Sequence, residues 1–205
     1  MPPQNPLETA GSGDDRLDPA LIRSLSEHEE PRGPIVLIGP MAAGKSFLAL
    51  HLSKFHGYKF VDADQLIVSR HGVISELFET YGERYFRDLE ADTITEVLGD
   101  PEYEGAIFSV GGGAPMTPRV RERLAEHRVV YLRIDAETVE PRIAGNTSRP
   151  MLRPDPVARW KEILEQRRET YEALADVVID ASGDRSINDM AEELDRAIRG
   201  PADGR

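Results

Sequence analysis

Apolar residues in this chain are grouped in two ways. Short runs occur at Ile35 to Ile38, Lys59 to Asp62 (apolar at Phe60 and Val61), Ala106 to Val110, Val129 to Arg133 and Val177 to Asp180. Runs this short, bounded by Gly, Asp or Pro, predict five strands buried on both faces. Between them apolar residues recur every three or four positions, which predicts helices. The helical stretches are Gly44 to about Phe55, Gln65 to Arg70, a short one after Ser75, Glu83 to Leu98, Arg119 to Glu126, Glu137 to Ile143, Val157 to Leu174 and Ile187 to Arg199. Gly57, Gly72 and Gly99-Asp-Pro101 supply stops. Strand and helix alternate, so the fold class is α/β: three layers, with a five-stranded parallel sheet and helices on both faces. Such sheets bind ligands at the carboxyl ends of their strands. The segments that follow strands are therefore where chemistry is sought.

Two regions escape the pattern. Residues 1–33 are rich in Pro and Gly and carry three arginines against seven acidic residues. That composition predicts a disordered N-terminal extension, with a partner-binding tail as the alternative. Residues 34–200 form the single expected domain, and 201–205 a fraying tail. Within the domain, about 144–156 is rich in Gly, Asn, Pro and Arg and reads as a mobile lid.

Composition narrows the classes of function. The net charge is −12 and no basic cluster occurs, which argues against a nucleic-acid partner. The chain has no cysteine, which excludes disulfides and thiolate metal sites. No apolar run is long enough for a bilayer, and no secretory signal opens the chain, so neither a membrane partner nor export is expected and a cytoplasmic location is.

After the first strand comes GPMAAGKS, Gly39 to Ser46. It fits G-x-x-x-x-G-K-[ST], a loop whose backbone N–H groups cradle phosphates at a helix N-terminus. Lys45 would reach the β- and γ-phosphates and the Ser46 hydroxyl would ligate Mg²⁺. Only four lysines stand among 25 basic residues, so this one is not drawn from a lysine-rich background. After the second strand come Asp62 and Asp64. Asp62 is the candidate carboxylate for Mg²⁺; Asp64 is the candidate for an acceptor hydroxyl and its proton, with simple helix capping as the alternative. After the third come Gly111, Gly112 and Gly113, which leave backbone amides open to a ligand or form a flexible turn.

Helical phase adds two arginines. Arg167 lies seven residues after Trp160 and four before Tyr171, on the apolar stripe, where a guanidinium needs an anion: a substrate carboxylate or an internal acid. Glu90 falls inside the stripe of Phe86, Leu89, Ile94, Val97 and Leu98, with Arg87 three residues away at its edge. That pair either aims an Arg fork at an external carboxylate or is a structural ion pair. Arg149, in the lid, could neutralise transition-state charge or remain solvated. Arg142, one turn earlier, is a candidate for stacking on adenine.

The pieces GPMAAGKS, FVDAD, YGERYFRDLE, VGGGA, NTSRPML and RRETY, in this order, resemble shikimate kinases from Ile35 to about Asp180. The resemblance implies a P-loop kinase fold of the nucleoside-monophosphate-kinase type, in a monomer. It implies transfer of the ATP γ-phosphoryl group to the 3-hydroxyl of shikimate, in chorismate and aromatic amino acid biosynthesis. By that likeness Asp64 contacts shikimate hydroxyls, Arg87 and Arg167 hold its carboxylate, and Glu90 with Gly111, Gly112 and Gly113 completes the acceptor site. ATP falls to Gly39, Met41, Ala42, Ala43, Gly44, Lys45, Ser46, Phe47, Arg142 and Arg149, and Mg²⁺ to Ser46 and Asp62. Lys45, Asp64 and Arg149 are the catalytic set. Ala42 stands where the family commonly has Gly.

Two rivals remain at this level. One is a related kinase with another hydroxy-acid acceptor such as gluconate. The other is a nucleotide-binding regulatory module without transfer chemistry; the Asn-Lys-x-Asp of guanine-specific proteins is absent.

Overall fold

The computed structural model describes residues 33–144 and 154–200. The expectations for the extension over 1–32, for the lid segment 145–153 with Arg149, and for the tail 201–205 lie outside the described residues.

Five strands are present: β1 Ile35–Ile38, β2 Phe60–Asp62, β3 Ile107–Ser109, β4 Val129–Arg133 and β5 Val177–Asp180. All pair in parallel, in the order β2-β3-β1-β4-β5. Every residue of β1 is buried, as a strand can be only where helices cover both faces of its sheet. The centre of the core is apolar throughout, with Leu37, Ile38, Phe108, Val130 and Leu132 fully enclosed.

Seven α-helices occur among the described residues. They are α1 Lys45–His56, α2 Ala63–His71, α3 Ile74–Gly99, α4 Pro118–Leu124, α5 Ala136–Ile143, α6 Pro156–Leu174 and α7 Ile187–Arg199. α1 packs against β1, β2 and β3 and beside α7, while α3 packs beside α4 and α6 contacts β4. Carboxylates and a hydroxyl start several of them by accepting from backbone N–H groups: Asp62 for α2, Asp135 for α5, Asp155 for α6 and Ser186 for α7.

The structure departs from the sequence expectation in three places. The short helix after Ser75 and the helix from Glu83 follow one another without a loop, and Gly82 (φ 82°, ψ 170°) breaks the direction between them. The sequence pattern sees the break but cannot see that no linker separates the two. α2 begins two residues earlier than expected because Asp62, not Asp64, supplies its cap: Asp62 Oδ1 accepts from Gln65 N at 3.1 Å. Third, a single turn of 3₁₀ helix at Ala114–Met116 follows the glycine run.

A second, smaller apolar cluster holds Ile67 of α2 against Leu77 and Phe86 of α3. It fixes the base of the segment that carries Arg87 and Glu90.

The strand order reverses at β1. The chain runs from β1 outward to β2, later fills β3 between them, and then turns to β4 and β5 on the other side. A crevice opens at such a switch point, beyond the carboxyl ends of the strands. The segments after β1, β2 and β3 all converge there.

Candidate active site

The loop between β1 and α1 is held by close approach and by hydrogen bonds. Gly39 has φ 138°, and a Cβ there would stand 2.5 Å from the Leu132 carbonyl oxygen, so no side chain fits. Ala42 has φ 65°, the one non-glycine residue with positive φ among the described residues. That conformation costs roughly 1–2 kcal/mol in an L-residue. Two bonds offset it. The Trp160 indole Nε1–H donates to Met41 O at 3.0 Å, and Arg142 Nη1 donates to Ala42 O at 3.1 Å. The first is part-buried and contributes about 1 kcal/mol; the second is exposed and contributes less. Lys45 is buried and its Nζ donates back to Gly39 O at 2.9 Å and Pro40 O at 3.1 Å. Its charge thus lies across the loop.

Beside the loop lies a cavity of about 530 Å³ between Phe47, Leu132, Arg142, Arg185, Ile187 and Met190, reaching Ala43 and Gly44. Its size and mixed lining suit a base and sugar.

Ser46, the second residue of α1, points at the end of β2. Its hydroxyl donates to Asp62 Oδ2 at 2.6 Å and lies 3.2 Å from Ser109 Oγ at the end of β3. Three hard oxygen ligands therefore meet. Among the described residues no cluster of three or more His, Cys, Asp or Glu side chains could hold a metal by itself. One carboxylate with one or two hydroxyls fits Mg²⁺, which keeps most of its waters, better than an ion needing an all-protein cage.

On the other side of the crevice stand Asp64, Arg87, Glu90, Arg167 and Tyr171. Asp64, in the first turn of α2, is an exposed residue whose carboxylate is only partly desolvated by its surroundings. That desolvation raises its pKa above the ordinary 3.8; the Asp62 charge adds to the rise, and Lys45 and Arg87 oppose it. Arg87 Nη1 donates to Glu90 Oε2 at 2.6 Å, and its guanidinium lies 5.3 Å from the Phe86 ring centre. Glu90 is 1% exposed. Burial raises its pKa, against the pull of Arg87.

Arg167 is half-buried, less deep than its place on the stripe suggested, and forms no ion pair with any described residue. It faces the Tyr171 hydroxyl and opposes the rise that burial imposes on that group's pKa. Glu90 feels the Arg167 charge without pairing closely with it, and a fork with no close carboxylate can take an external one.

The glycine run joins the two sides. A Cβ on Gly112 would meet Gly39 O at 3.1 Å and Met41 N at 3.3 Å, in the phosphate loop. A Cβ on Gly113 would meet Arg87 Nη1 at 2.7 Å, and one on Gly111 would collide with Glu90 Oε1. From α6, the Tyr171 hydroxyl donates to Gly112 O at 2.5 Å. The loop, the glycine strip and the two arginines thus share one crevice.

The shikimate kinase family model matches residues 41–198. The chain belongs to the shikimate kinase family. It is similar to the shikimate kinase of Streptomyces coelicolor, 39% identical over 150 residues that span 73% of this chain and 86% of that protein. The shikimate kinase of Halorhodospira halophila is 38% identical over 169 residues, 81% of this chain and 93% of that one. Among solved structures, shikimate kinase from Acinetobacter baumannii in complex with shikimate superposes with a TM-score of 0.76 at 28% identity, over 87% of this chain and 99% of that chain. The five-stranded parallel sheet is the architecture these shikimate kinases share.

Of the residues picked from the sequence, Ala42, Ala43, Gly44, Phe47 and Arg142 line the cavity beside the loop, and Asp64, Arg87, Glu90 and Gly111 to Gly113 come together across the crevice. Sequence reasoning passed over others. Ser109 ends a strand, so the strand-end rule points to it. Arg185 and Ile187 follow β5 and are reached by the same rule. Trp160 and Tyr171 fit the apolar stripe, but each also carries a donor that must find a partner when buried. No helix among the described residues of this shikimate kinase family member is long and apolar enough to cross a membrane.

Proposed function

We propose that this chain transfers the γ-phosphoryl group of ATP to the 3-hydroxyl of shikimate. One observation supports this above all: the glycine strip touches the phosphate loop through Gly112 and the Arg87–Glu90 pair through Gly113 and Gly111. A polyphosphate held by the loop and a carboxylate held by Arg87 then face each other across a few ångströms of backbone.

In this reading Arg87 and Arg167 bind the shikimate carboxylate, and Glu90 holds Arg87 in place. Asp64 accepts a hydrogen bond from the reacting hydroxyl. As that oxygen attacks the γ-phosphorus, the bond to the β,γ-bridging oxygen breaks, ADP leaves, and the hydroxyl proton passes to Asp64. Its raised pKa suits it to hold that proton. Lys45 swings from its carbonyl partners to the β- and γ-phosphates. Arg149 closes on the same charge, and Arg142 packs on adenine in the cavity beside Phe47. Gly39, Met41, Ala42, Ala43 and Gly44 offer backbone amides to the phosphates. Ser46 and Asp62 would hold Mg²⁺, with Ser109 adjoining; the ion would neutralise phosphate charge. A monomer in the cytoplasm belongs to the same reading.

An assay coupled to ADP release, run with shikimate, gluconate and no acceptor, tests the reading. Turnover is expected with shikimate alone and lost in Lys45→Met. Turnover with gluconate and none with shikimate overturns the acceptor; ADP release with neither overturns the transfer.

A further inference from the structure

Trp160 is the only tryptophan in the chain. It lies in the second turn of α6, is 1% exposed, and donates its indole N–H to the carbonyl of Met41, 119 residues away. The acceptor sits on the peptide that leads into Ala42, whose φ is 65°. The two facts are connected. Rotating a peptide plane by half a turn changes ψ of the residue before it and φ of the residue after it. The Met41–Ala42 plane therefore has two orientations, and an alanine left to itself favours the one with negative φ.

The indole selects the other. It carries a donor and no acceptor. With the Met41 carbonyl turned toward α6, the donor is satisfied. With the plane reversed, the Ala42 N–H would face the indole N–H, two donors would oppose each other, and a buried indole would lose its partner. Because the peptide is planar and trans, fixing the carbonyl toward the helix turns the Ala42 N–H the opposite way. Arg142, from α5, holds the next carbonyl, that of Ala42, at 3.1 Å. That contact is exposed, so the bond from the buried indole carries the discrimination.

We propose that Trp160 is a positioning residue for nucleotide binding: its indole N–H locks the Met41–Ala42 peptide in the orientation that offers the Ala42 amide to a bound phosphate. The assignment rests on the reading of this loop as the ATP phosphate site. It goes beyond that reading because Trp160 itself touches no substrate and no motif points to it.

The test uses the full chain and calorimetric titration with ADP. Wild type, Trp160→Phe, Ala42→Gly and the double variant are compared. Trp160→Phe keeps a buried ring and removes the donor. It is expected to weaken ADP binding about tenfold, the worth of one part-buried hydrogen bond, and to leave the shikimate KM within about twofold. In the Ala42→Gly background the same substitution is expected to cost clearly less, since glycine takes φ 65° without a lock. A role in packing alone predicts equal losses in both backgrounds and overturns the proposal, as does unchanged ADP affinity in Trp160→Phe. Failure of the wild type to bind ADP removes the phosphate-site reading, and this one falls with it; tight wild-type binding with an unaffected variant removes this one only.

A second readout needs no substitution. The single indole is bonded to the phosphate loop, so its emission is expected to change as ADP is added and to stay constant as shikimate is added alone. Constant emission through a saturating ADP titration overturns the proposal even where Trp160→Phe does not fold.

Discussion

Gly113 lies so close to Arg87 that a methyl group on its Cα would stand 2.7 Å from both terminal nitrogens of the guanidinium. Its backbone is ordinary (φ −88°, ψ −19°), so glycine is required there by proximity and not by conformation. Gly112, one residue earlier, presses instead on the backbone of Gly39 and Met41.

That difference separates two substitutions that look alike. Gly113→Ala meets only the far end of a flexible side chain, which moves. The protein is expected to melt near the wild-type temperature, with the shikimate KM raised about tenfold or more through the displaced fork and the ATP KM nearly unchanged. Gly112→Ala meets main chain on the phosphate loop, which cannot move without opening it. Its larger effect is expected on ATP. Steady-state kinetics with each substrate varied in turn decide this, and identical profiles for the two variants contradict the division of the strip.

The two arginines of the crevice differ in what holds them. Arg87 is bonded to a carboxylate that is 1% exposed, while Arg167 has no ion-pair partner among the described residues. Either change to Ala is expected to raise the shikimate KM by roughly 10- to 100-fold, the worth of a charge-assisted bond. Only Arg87→Ala strands a buried charge, so it alone is expected to lose about 3 kcal/mol of stability at neutral pH. The loss shrinks in acid, where Glu90 is protonated. Denaturant unfolding of both variants at two pH values checks this. Equal stability for both contradicts the asymmetry.

These contrasts also mark what a sequence can and cannot carry. The strand–helix alternation placed all five strands to within a residue or two, because buried parallel strands leave continuous apolar runs bounded by breakers. Glu90 and Arg87 were legible because a carboxylate inside an apolar stripe breaks the pattern at a countable position. Trp160 and Tyr171 were not, since a residue that packs and donates looks the same in sequence as one that only packs. That Asp62 and not Asp64 caps α2 was hidden for a related reason. Both can cap a helix two residues apart, and only the backbone direction leaving β2 decides which one does. That choice leaves Asp64 with no capping duty in the structure and its carboxylate in the crevice.

Asp64 gives a pH-dependent consequence with a definite sign. Its pKa in the folded chain is above the ordinary 3.8, from burial first and the Asp62 charge second. In the window above 3.8 the folded chain therefore holds this proton more tightly than the unfolded chain. Stability falls as pH rises through that window, and above it the ionised carboxylate is a constant cost. Glu90, raised from 4.5, acts in the same direction. Asp64→Asn removes the Asp64 cost alone. It is expected to melt higher than wild type at pH 7, with the advantage disappearing as pH is lowered toward 4, while turnover falls by roughly 10²- to 10⁴-fold for loss of the proton acceptor. In the wild type, the acid limb of kcat/KM is expected above pH 3.8. Thermal melts across pH 4 to 8 and a rate profile over the same range test both halves. A variant less stable than wild type at pH 7, or an acid limb at the ordinary carboxylate value, would show that the crevice does not desolvate this carboxylate.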